Sequence, residues 1–401
     1  MRTILVAAAF LTISFSAFAE PFAESKEPVK ILDISSYSLG ASFANPVRDS
    51  LRMRADELNS TGGLLGRPVE IIHVDDTGSP DKAIEKLEAL VAQEKPFVIT
   101  GCNLANIELA ISAWTKKNKV LQVSACLNSD DAMWKEYNPY MFRGSGPLVY
   151  GLNWRLAERA SVRGKLKWAA VNHNYAWGQD NLKAFKENLQ RYQPEVTWVE
   201  EQWVPIGKID AGSVVNAIKR SGAEAVYTAL WGSDLVEFLR QAKKRGLTDT
   251  ALIVGDNLGR PEFREQNAKD IPVGAITYAT LPFEDPQTPE MKSYAENYQK
   301  KYGVAVRSTG MLAYITMQTI EAAVKKAGSF ETERLRNVLP RLEYDTIVGK
   351  VIMRAIDHVP TNGVWIAETD LEDNKPVLIN VEYKDGKNYF PADEKIKELR
   401  K

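Results

Sequence analysis

The chain has 401 residues, with 51 basic against 52 acidic side chains and a formal net charge of -1. Charges of both signs are spread along it, which excludes a basic nucleic-acid or membrane-surface binder, and the composition excludes a disordered, collagenous or coiled-coil chain. The length is too great for one simple core and predicts two domains of roughly 150–200 residues each.

The first nineteen residues differ from the rest. Met1-Arg2-Thr3 is a short positive start, Ile4 to Phe15 is an apolar run, and Ala17-Phe18-Ala19 is a small-x-small cleavage site before Glu20-Pro21. This reads as a secretory signal peptide over 1–19. The run is too short for a membrane span, which needs about 20 apolar residues. No cysteine lies near the cleavage point, which argues against a lipoprotein. The expected mature protein is soluble and exported.

Strand and helix then alternate. Val29 to Ile34 reads as a strand, and a loop over Ser35 to Asn45 follows. Asn45-Pro46 predicts a helix start, with Val47, Leu51, Ala55 and Leu58 as its buried stripe and Gly62-Gly63 as its stop. A strand over Val69 to Val74 leads to a capped start at Ser79-Pro80, whose helix buries Ala83, Ile84, Leu87, Leu90 and Val91. Phe97 to Thr100 is a strand, Ile107, Ile111 and Trp114 mark a helix, and Val120 to Ser124 is a strand. Arg143-Gly144-Ser145-Gly146-Pro147 interrupts the pattern and reads as a linker.

The alternation restarts with a strand at Trp168 to Val171 and a helix stripe of Leu182, Phe185, Leu189 and Tyr192. Val196 to Val204, Ala225 to Ala229 and Leu252 to Val254 read as strands. Helices fall around Val214, Val215 and Ile218, and from a Ser233 cap to Gly246. A crossing is expected near Ile276 to Thr280, before helices around 287–301 and 308–327. Gly349 to Arg354, Gly363 to Thr369 and Pro376 to Tyr383 alternate as antiparallel strands, with Lys384-Asp385-Gly386-Lys387 as a turn. The fold class is α/β, with two doubly wound parallel-sheet halves. Ligands of such sheets sit outside the strands' carboxyl ends, so two facing lobes form a cleft that closes by hinge motion.

There are two cysteines, Cys102 and Cys126, and three histidines, His73, His173 and His358. The cysteine spacing fits no zinc motif and the histidines are scattered, so neither metal nor cofactor is expected. Both cysteines follow the ends of successive strands. If those strands are neighbours about 4.8 Å apart, the pair falls within bridging range in an oxidising compartment. The alternative is two small buried residues lining the pocket.

The ordered segments resemble a known family. Ala55-Asp56-Glu57-Leu58-Asn59-Ser60-Thr61-Gly62-Gly63-Leu64-Leu65-Gly66-Arg67-Pro68-Val69-Glu70, Val74-Asp75-Asp76 with Ser79-Pro80, and Tyr175-Ala176-Trp177-Gly178-Gln179 are its first three pieces. Ala225-Val226-Tyr227, Leu239-Arg240-Gln241-Ala242, Gly246-Leu247 and Val254-Gly255-Asp256 complete the set, over about 28–390. The chain is similar to type I periplasmic binding proteins of the branched-chain amino acid and amide-binding, leucine-binding-protein-like group of ABC transporter receptors. The resemblance implies two lobes joined by three hinge crossings, with 28–145 and 277–332 in lobe one and 146–276 and 333–401 in lobe two.

It also implies where ligand is held. Tyr37, after the first strand, is either ligand-facing or an ordinary loop aromatic. Gly101-Cys102-Asn103-Leu104-Ala105 occupies a turn where relatives carry carboxylate-binding serines, which are missing here. In Ser124-Ala125-Cys126-Leu127-Asn128, Leu127 and Asn128 replace an alanine-threonine pair. Asn103, Leu104, Cys126 and Asn128 are therefore candidates that depart from an α-amino-acid site, although helix-start N–H groups still bind anions. Tyr175 matches a ligand-stacking tyrosine, and Trp231 stands where relatives use tyrosine. Asp256 matches an acidic residue that binds the ligand's ammonium; otherwise it is a turn or cap aspartate. Trp177 is either packing or wall.

The function these features imply is capture of a small amino-acid-like, amine, amide or aromatic solute in the periplasm. Its partners would be an inner-membrane ABC permease and ATPase, with the binding protein itself monomeric. A free-standing ligand sensor of the same fold is the alternative. A secreted hydrolase is remote, because the chain has no G-x-S-x-G elbow, H-E-x-x-H or G-x-G-x-x-G. A Walker A loop is absent too, so the chain is not the ATPase.

Overall fold

A computed structural model describes residues 27–38, 41–126, 129–279 and 288–401. The signal-peptide segment and Asn128 lie outside the described residues. In the first half, β1 (Val29–Ser35), α1 (Ala41–Ser60), β2 (Val69–Asp75), α2 (Pro80–Glu94), β3 (Val98–Thr100), α3 (Ala105–Asn118), β4 (Gln122–Ser124) and β5 (Met141–Arg143) follow in order. The strands form one parallel sheet in the order β2-β1-β3-β4-β5.

Period-two alternation along β1 divides the core. Ile31 faces Val47, Leu51 and Ala55 of α1, whereas Leu32 and Ile34 face Ala83 and Leu87 of α2 and Ile107 and Ile111 of α3. The sheet is thus covered on both faces. The serine cap at α2 is as expected, with Ser79 Oγ accepting from Lys82 N and Pro80 at the first turn. α1 begins earlier than expected, at Ala41, and Pro46 lies inside it. A proline near a helix start removes only one backbone bond, so the helix extends through it.

The second half contains α4 (Val149–Ser161), β6 (Lys167–His173), α5 (Ala176–Tyr192), β7 (Thr197–Val204), α6 (Ala211–Ser221), β8 (Ala225–Thr228), α7 (Gly232–Lys244), β9 (Leu252–Gly255), α8 (Pro261–Gln266) and β10 (Ile276–Ala279). The chain continues through α9 (Pro289–Tyr302), α10 (Ser308–Ala327), α11 (Thr332–Val338), β11 (Glu343–Thr346), β12 (Gly349–Ile352), β13 (Val364–Glu372), β14 (Lys375–Lys384) and α12 (Asp393–Leu399). The second sheet runs β14-β13-β10-β9-β8-β6-β7, parallel from β10 to β7 and antiparallel where β13 and β14 join. Along β6, Ala169 and Val171 face α6 and α7, while Trp168 and Ala170 face α4 and α5.

The chain passes between the sheets three times, after β5, after β10 and after β12. Two boundaries differ from those the family pattern implies. β10 pairs with β9 and β13, so 276–279 belong to the second sheet, not to a first-lobe segment from 277. Leu335, Leu339, Tyr344, Val351 and Met353 pack in the first core, so the last crossing falls after 353, not at 333. Burial of those side chains against α10 sets the boundary.

Two local expectations also change. Tyr192 is 41% exposed, and its hydroxyl accepts from Trp154 Nε1 at 2.8 Å instead of joining the stripe of α5. Ser233 lies inside α7, whose cap is Trp231 with no side-chain cap bond. The β13–β14 hairpin turns at Asp373 and Asn374, both at positive φ, a conformation these short polar residues tolerate. At the C-terminus, Ile396 of α12 packs beside Met133 and Trp134, and Arg400 donates to the carbonyls of Met133, Trp134 and Ile356 at 3.1, 3.2 and 2.5 Å.

Candidate functional site

The carboxyl ends of the strands face a cavity of about 710 Å³ between the lobes. From the first lobe come Cys102 and Leu104 after β3, Cys126 after β4, Arg143 at the end of β5 with Gly146 and Pro147 after it, and Thr309 and Leu312 of α10. Cys102 and Cys126 are joined, with Cα atoms 4.7 Å apart. The bridge ties the loops after β3 and β4, and both cysteines still line the cavity. Gly101 allows the close turn before Cys102, since a Cβ there would lie 1.9 Å from the Ile34 carbonyl oxygen.

The second lobe supplies an aromatic wall. Tyr175 caps α5 after β6, and Trp231 caps α7 after β8. Trp177 is buried, donates its indole N–H to the Ala229 carbonyl at 3.1 Å, and lines the same wall. Phe263 and Tyr278 continue it. Behind Trp231, the ring of His173 stands edge-on at 5.3 Å, and its Nε2 is 2.7 Å from Asp234 Oδ2. Asp234 also accepts from the backbone N–H of Gly207 at 2.6 Å. These contacts fix the rotamer of the wall from behind.

The expected site residues separate into two groups. Leu104, Cys126, Tyr175 and Trp231 line the cavity together. Tyr37, Asn103 and Asp256 are not among the lining residues. The hydroxyl of Tyr37 donates to Asp33, whose carboxylate also holds His73 Nδ1 at 2.7 Å. Asn103 is buried and donates to the Ile34 carbonyl at 2.9 Å and to Asp76 Oδ2 at 2.8 Å, which joins the ends of β1, β2 and β3. Asp256 is fully buried behind Asn257, whose side-chain amide donates to it at 2.7 Å. Burial pushes the Asp256 carboxyl up to about 7, against the pull of Arg260.

Two cations line the cavity that the strand-end reading did not single out, Arg143 and Arg260. A third, Arg240, is paired at 2.7 Å with Glu237, which also lines the cavity. Arg143 is 5% exposed and its Nε donates to the Gly146 carbonyl at 3.0 Å. Burial lowers its pKa to about 10, with Asp130 and Glu108 acting in the other direction, so it remains charged at neutral pH. The sequence signal was the arginine at the end of β5, hidden by the glycines that follow it. Among the described residues no group of three or more His, Cys, Asp or Glu is placed to hold a metal ion, and no helix is long and apolar enough to cross a membrane.

Two parallel-sheet lobes, three crossings and a cavity at the strands' carboxyl ends define a hinged solute receptor. The sequence pattern of the periplasmic binding protein family matches residues 31–375. The chain belongs to that family and is a periplasmic solute-binding protein of the ABC-transporter type. A Leu/Ile/Val-binding protein homolog of Brucella abortus is 25% identical over 372 residues, 88% of this chain and 85% of the relative. The fold is shared with a leucine-, isoleucine-, valine-, threonine- and alanine-binding protein of Brucella ovis in a closed conformation, at TM-score 0.80 and 21% identity over 91% of this chain and 97% of that one. It is shared equally with an ABC-transporter solute-binding protein of Rhodopseudomonas palustris in complex with 3,4-dihydroxybenzoic acid. That match has a TM-score of 0.80 and 19% identity over 90% of this chain and 98% of the other.

Proposed function

We propose that this chain captures an aromatic carboxylate in the periplasm and presents it to an inner-membrane ABC permease with its ATPase. The observation that carries this reading is the pairing of two cavity arginines, Arg143 and Arg260, with the aromatic wall of Tyr175, Trp177, Trp231, Phe263 and Tyr278. A guanidinium offers a fork that matches a carboxylate, and a flat ring gains contact on aromatic faces. Asp256 does not line the cavity, which weighs against an ammonium as the anchored group. The dihydroxybenzoic acid held by the neighbour of the same fold agrees with this class.

The reading is of a receptor without chemistry. Among the described residues that line the cavity there is no histidine and both cysteines are bridged, so a histidine-activated thiol or hydroxyl is not assembled there. Export follows cleavage after Ala19, and N-terminal sequencing of the periplasmic protein should start at Glu20. The ligand test is mass spectrometry of what co-purifies, followed by calorimetry with benzoate, 3,4-dihydroxybenzoate, leucine and a primary amine. Binding of the two aromatic acids without leucine or the amine is expected. Binding of leucine or the amine with no response to the acids would overturn the assignment.

A further inference from the structure

Both cavity arginines are backed by buried carboxyls. Arg143 feels Asp130 and Glu108, and Arg260 acts on Asp256. The three acids are not equivalent. Asp130 accepts the backbone N–H groups of Val149 and Tyr150 at 2.8 and 2.6 Å, at the start of α4, so both its oxygens are engaged. Glu108 accepts from Gln122 at 2.9 Å through Oε1, its Oε2 is likewise buried without a hydrogen bond, and Asp76 is its acidic neighbour, but neither Glu108 nor its chain neighbours Ile107 and Leu109 line the cavity. Asp256 is 0% exposed, its Oδ1 accepts from Asn257, and its Oδ2 is buried without a hydrogen bond. Asn257 itself lines the cavity, so this carboxyl is one residue from the solute.

An anion that enters this cavity competes with the carboxylates for the same positive charge. A further negative charge in a water-poor cavity disfavours an ionised carboxyl beside it. The carboxyl that combines an uncommitted oxygen with a chain neighbour on the cavity wall, Asp256, responds most readily, because it is nearest the anion and a proton on that oxygen breaks no existing hydrogen bond. We propose that capture of an anionic solute is accompanied by uptake of a proton from solvent onto Asp256 Oδ2, so that anion and proton occupy the site together. The only bond formed is the O–H bond.

The groups that face Asp256 agree with this. Arg260 is the opposing cation on its own loop, the Tyr175 hydroxyl faces it from α5, and the Tyr227 hydroxyl faces it from β8. Burial raises both tyrosines, so both stay neutral and neither supplies the missing charge. The free carboxyl is held at about 7, where a proton is readily gained at physiological pH. The folded site gains a proton as the anion binds, so affinity falls as pH rises through the free carboxyl's pKa.

The inference rests on the aromatic-carboxylate reading, and one experiment separates the two. Calorimetry of the full mature chain with benzoate, in buffers of different ionisation enthalpy, counts the protons exchanged. Uptake of a sizeable fraction of a proton is expected at neutral pH, with Kd rising on the order of tenfold from about pH 6 to about pH 9. Asp256→Asn should still bind benzoate but lose both the uptake and the pH dependence, whereas Glu108→Gln should keep them. Wild-type binding with no proton exchange, or undiminished uptake in Asp256→Asn, would overturn the proton coupling. Absence of any binding heat with benzoate would overturn the solute class itself, and this inference with it.

Discussion

The indole N–H of Trp231 donates to the hydroxyl of Tyr175 at 3.0 Å. The two residues cap different helices after different strands, yet the bond makes them one continuous face of the cavity. Neither ring can then turn independently, so the wall is organised before a solute arrives. Trp231→Phe keeps a ring and removes the donor. It should weaken binding of an aromatic carboxylate by about 0.5–1.5 kcal/mol, the net worth of one hydrogen bond. Trp231→Ala should cost more through lost contact, and Tyr175→Phe should match Trp231→Phe. Calorimetry on the three variants checks the order.

Arg143 is buried at the end of β5 and faces the solute space. Its loss leaves a bound carboxylate without a fork and leaves Asp130 and Glu108 without their common cation. Arg143→Met should reduce affinity for benzoate by about 2–5 kcal/mol, the range for removing one member of a buried charge pair. Arg143→Lys should recover part of that loss, since it restores charge but not two-point geometry. Equal affinities in wild type and Arg143→Met would place the carboxylate elsewhere in the cavity.

The Cys102–Cys126 bridge closes a loop with a sequence separation of 24. Constraining a loop of that length in the unfolded chain stabilises by about 3 kcal/mol on the entropic account. A double Cys102→Ser, Cys126→Ser variant should therefore unfold at lower denaturant, with a slope equal to or steeper than that of the wild type because the unlinked denatured chain exposes more surface. Thiol titration of the unreduced, denatured wild type should find no free thiol, and two would reject the bridge.

The pH dependence of stability has a definite sign. Burial holds Glu108, Asp130 and Asp256 each at about 7, above their ordinary carboxylate range. Between the unfolded and folded pKa values the native state binds more protons, so stability is lost as pH rises toward and through about 7. Each such group changes the unfolding free energy by up to about 1.4 kcal/mol per pH unit. Burial acts in the opposite direction on His173, which is lowered, and on His358, which is lowered to about 4. Those two oppose stability once pH falls below the ordinary histidine value. The melting temperature should therefore start to rise as pH falls through about 7.5 and go on rising below about pH 6.5, less steeply there because two histidines oppose three carboxyls. Glu108→Gln combined with Asp256→Asn should flatten the upper limb, and an unchanged limb would contradict the assignment.

What the sequence disclosed depended on how local each feature is. The strand at Val29 to Ile34, the Ser79-Pro80 start and the stripe of Val47, Leu51, Ala55 and Leu58 are set by residues near in sequence, and all were legible. Tyr37 and Asp256 were harder. Each follows a strand end, but the direction of its side chain is set by partners from other segments: His73 through the shared Asp33 for Tyr37, and Arg260 with the buried Tyr227 for Asp256. Arg143 was obscured because the glycines and serine after it mark a crossing between lobes, and a linker does not announce that its first residue is buried. The proposed solute class rests on that arginine more than on any motif.

The order in which the chain supplies its cores has a consequence for secretion. The first core needs Met317 and Ile320 of α10 and Leu335 of α11, and the second sheet needs β13 and β14. Neither lobe can be completed while the last third of the chain is still being synthesised, and Arg400 reaches the Met133, Trp134 and Ile356 carbonyls only at the end. A nascent chain with both cores unfinished remains open to a translocation channel that accepts extended polypeptide. Interleaving the lobes thus postpones completion of both cores until the last third of the chain is available, which a protein made of two sequential, self-sufficient domains would not do.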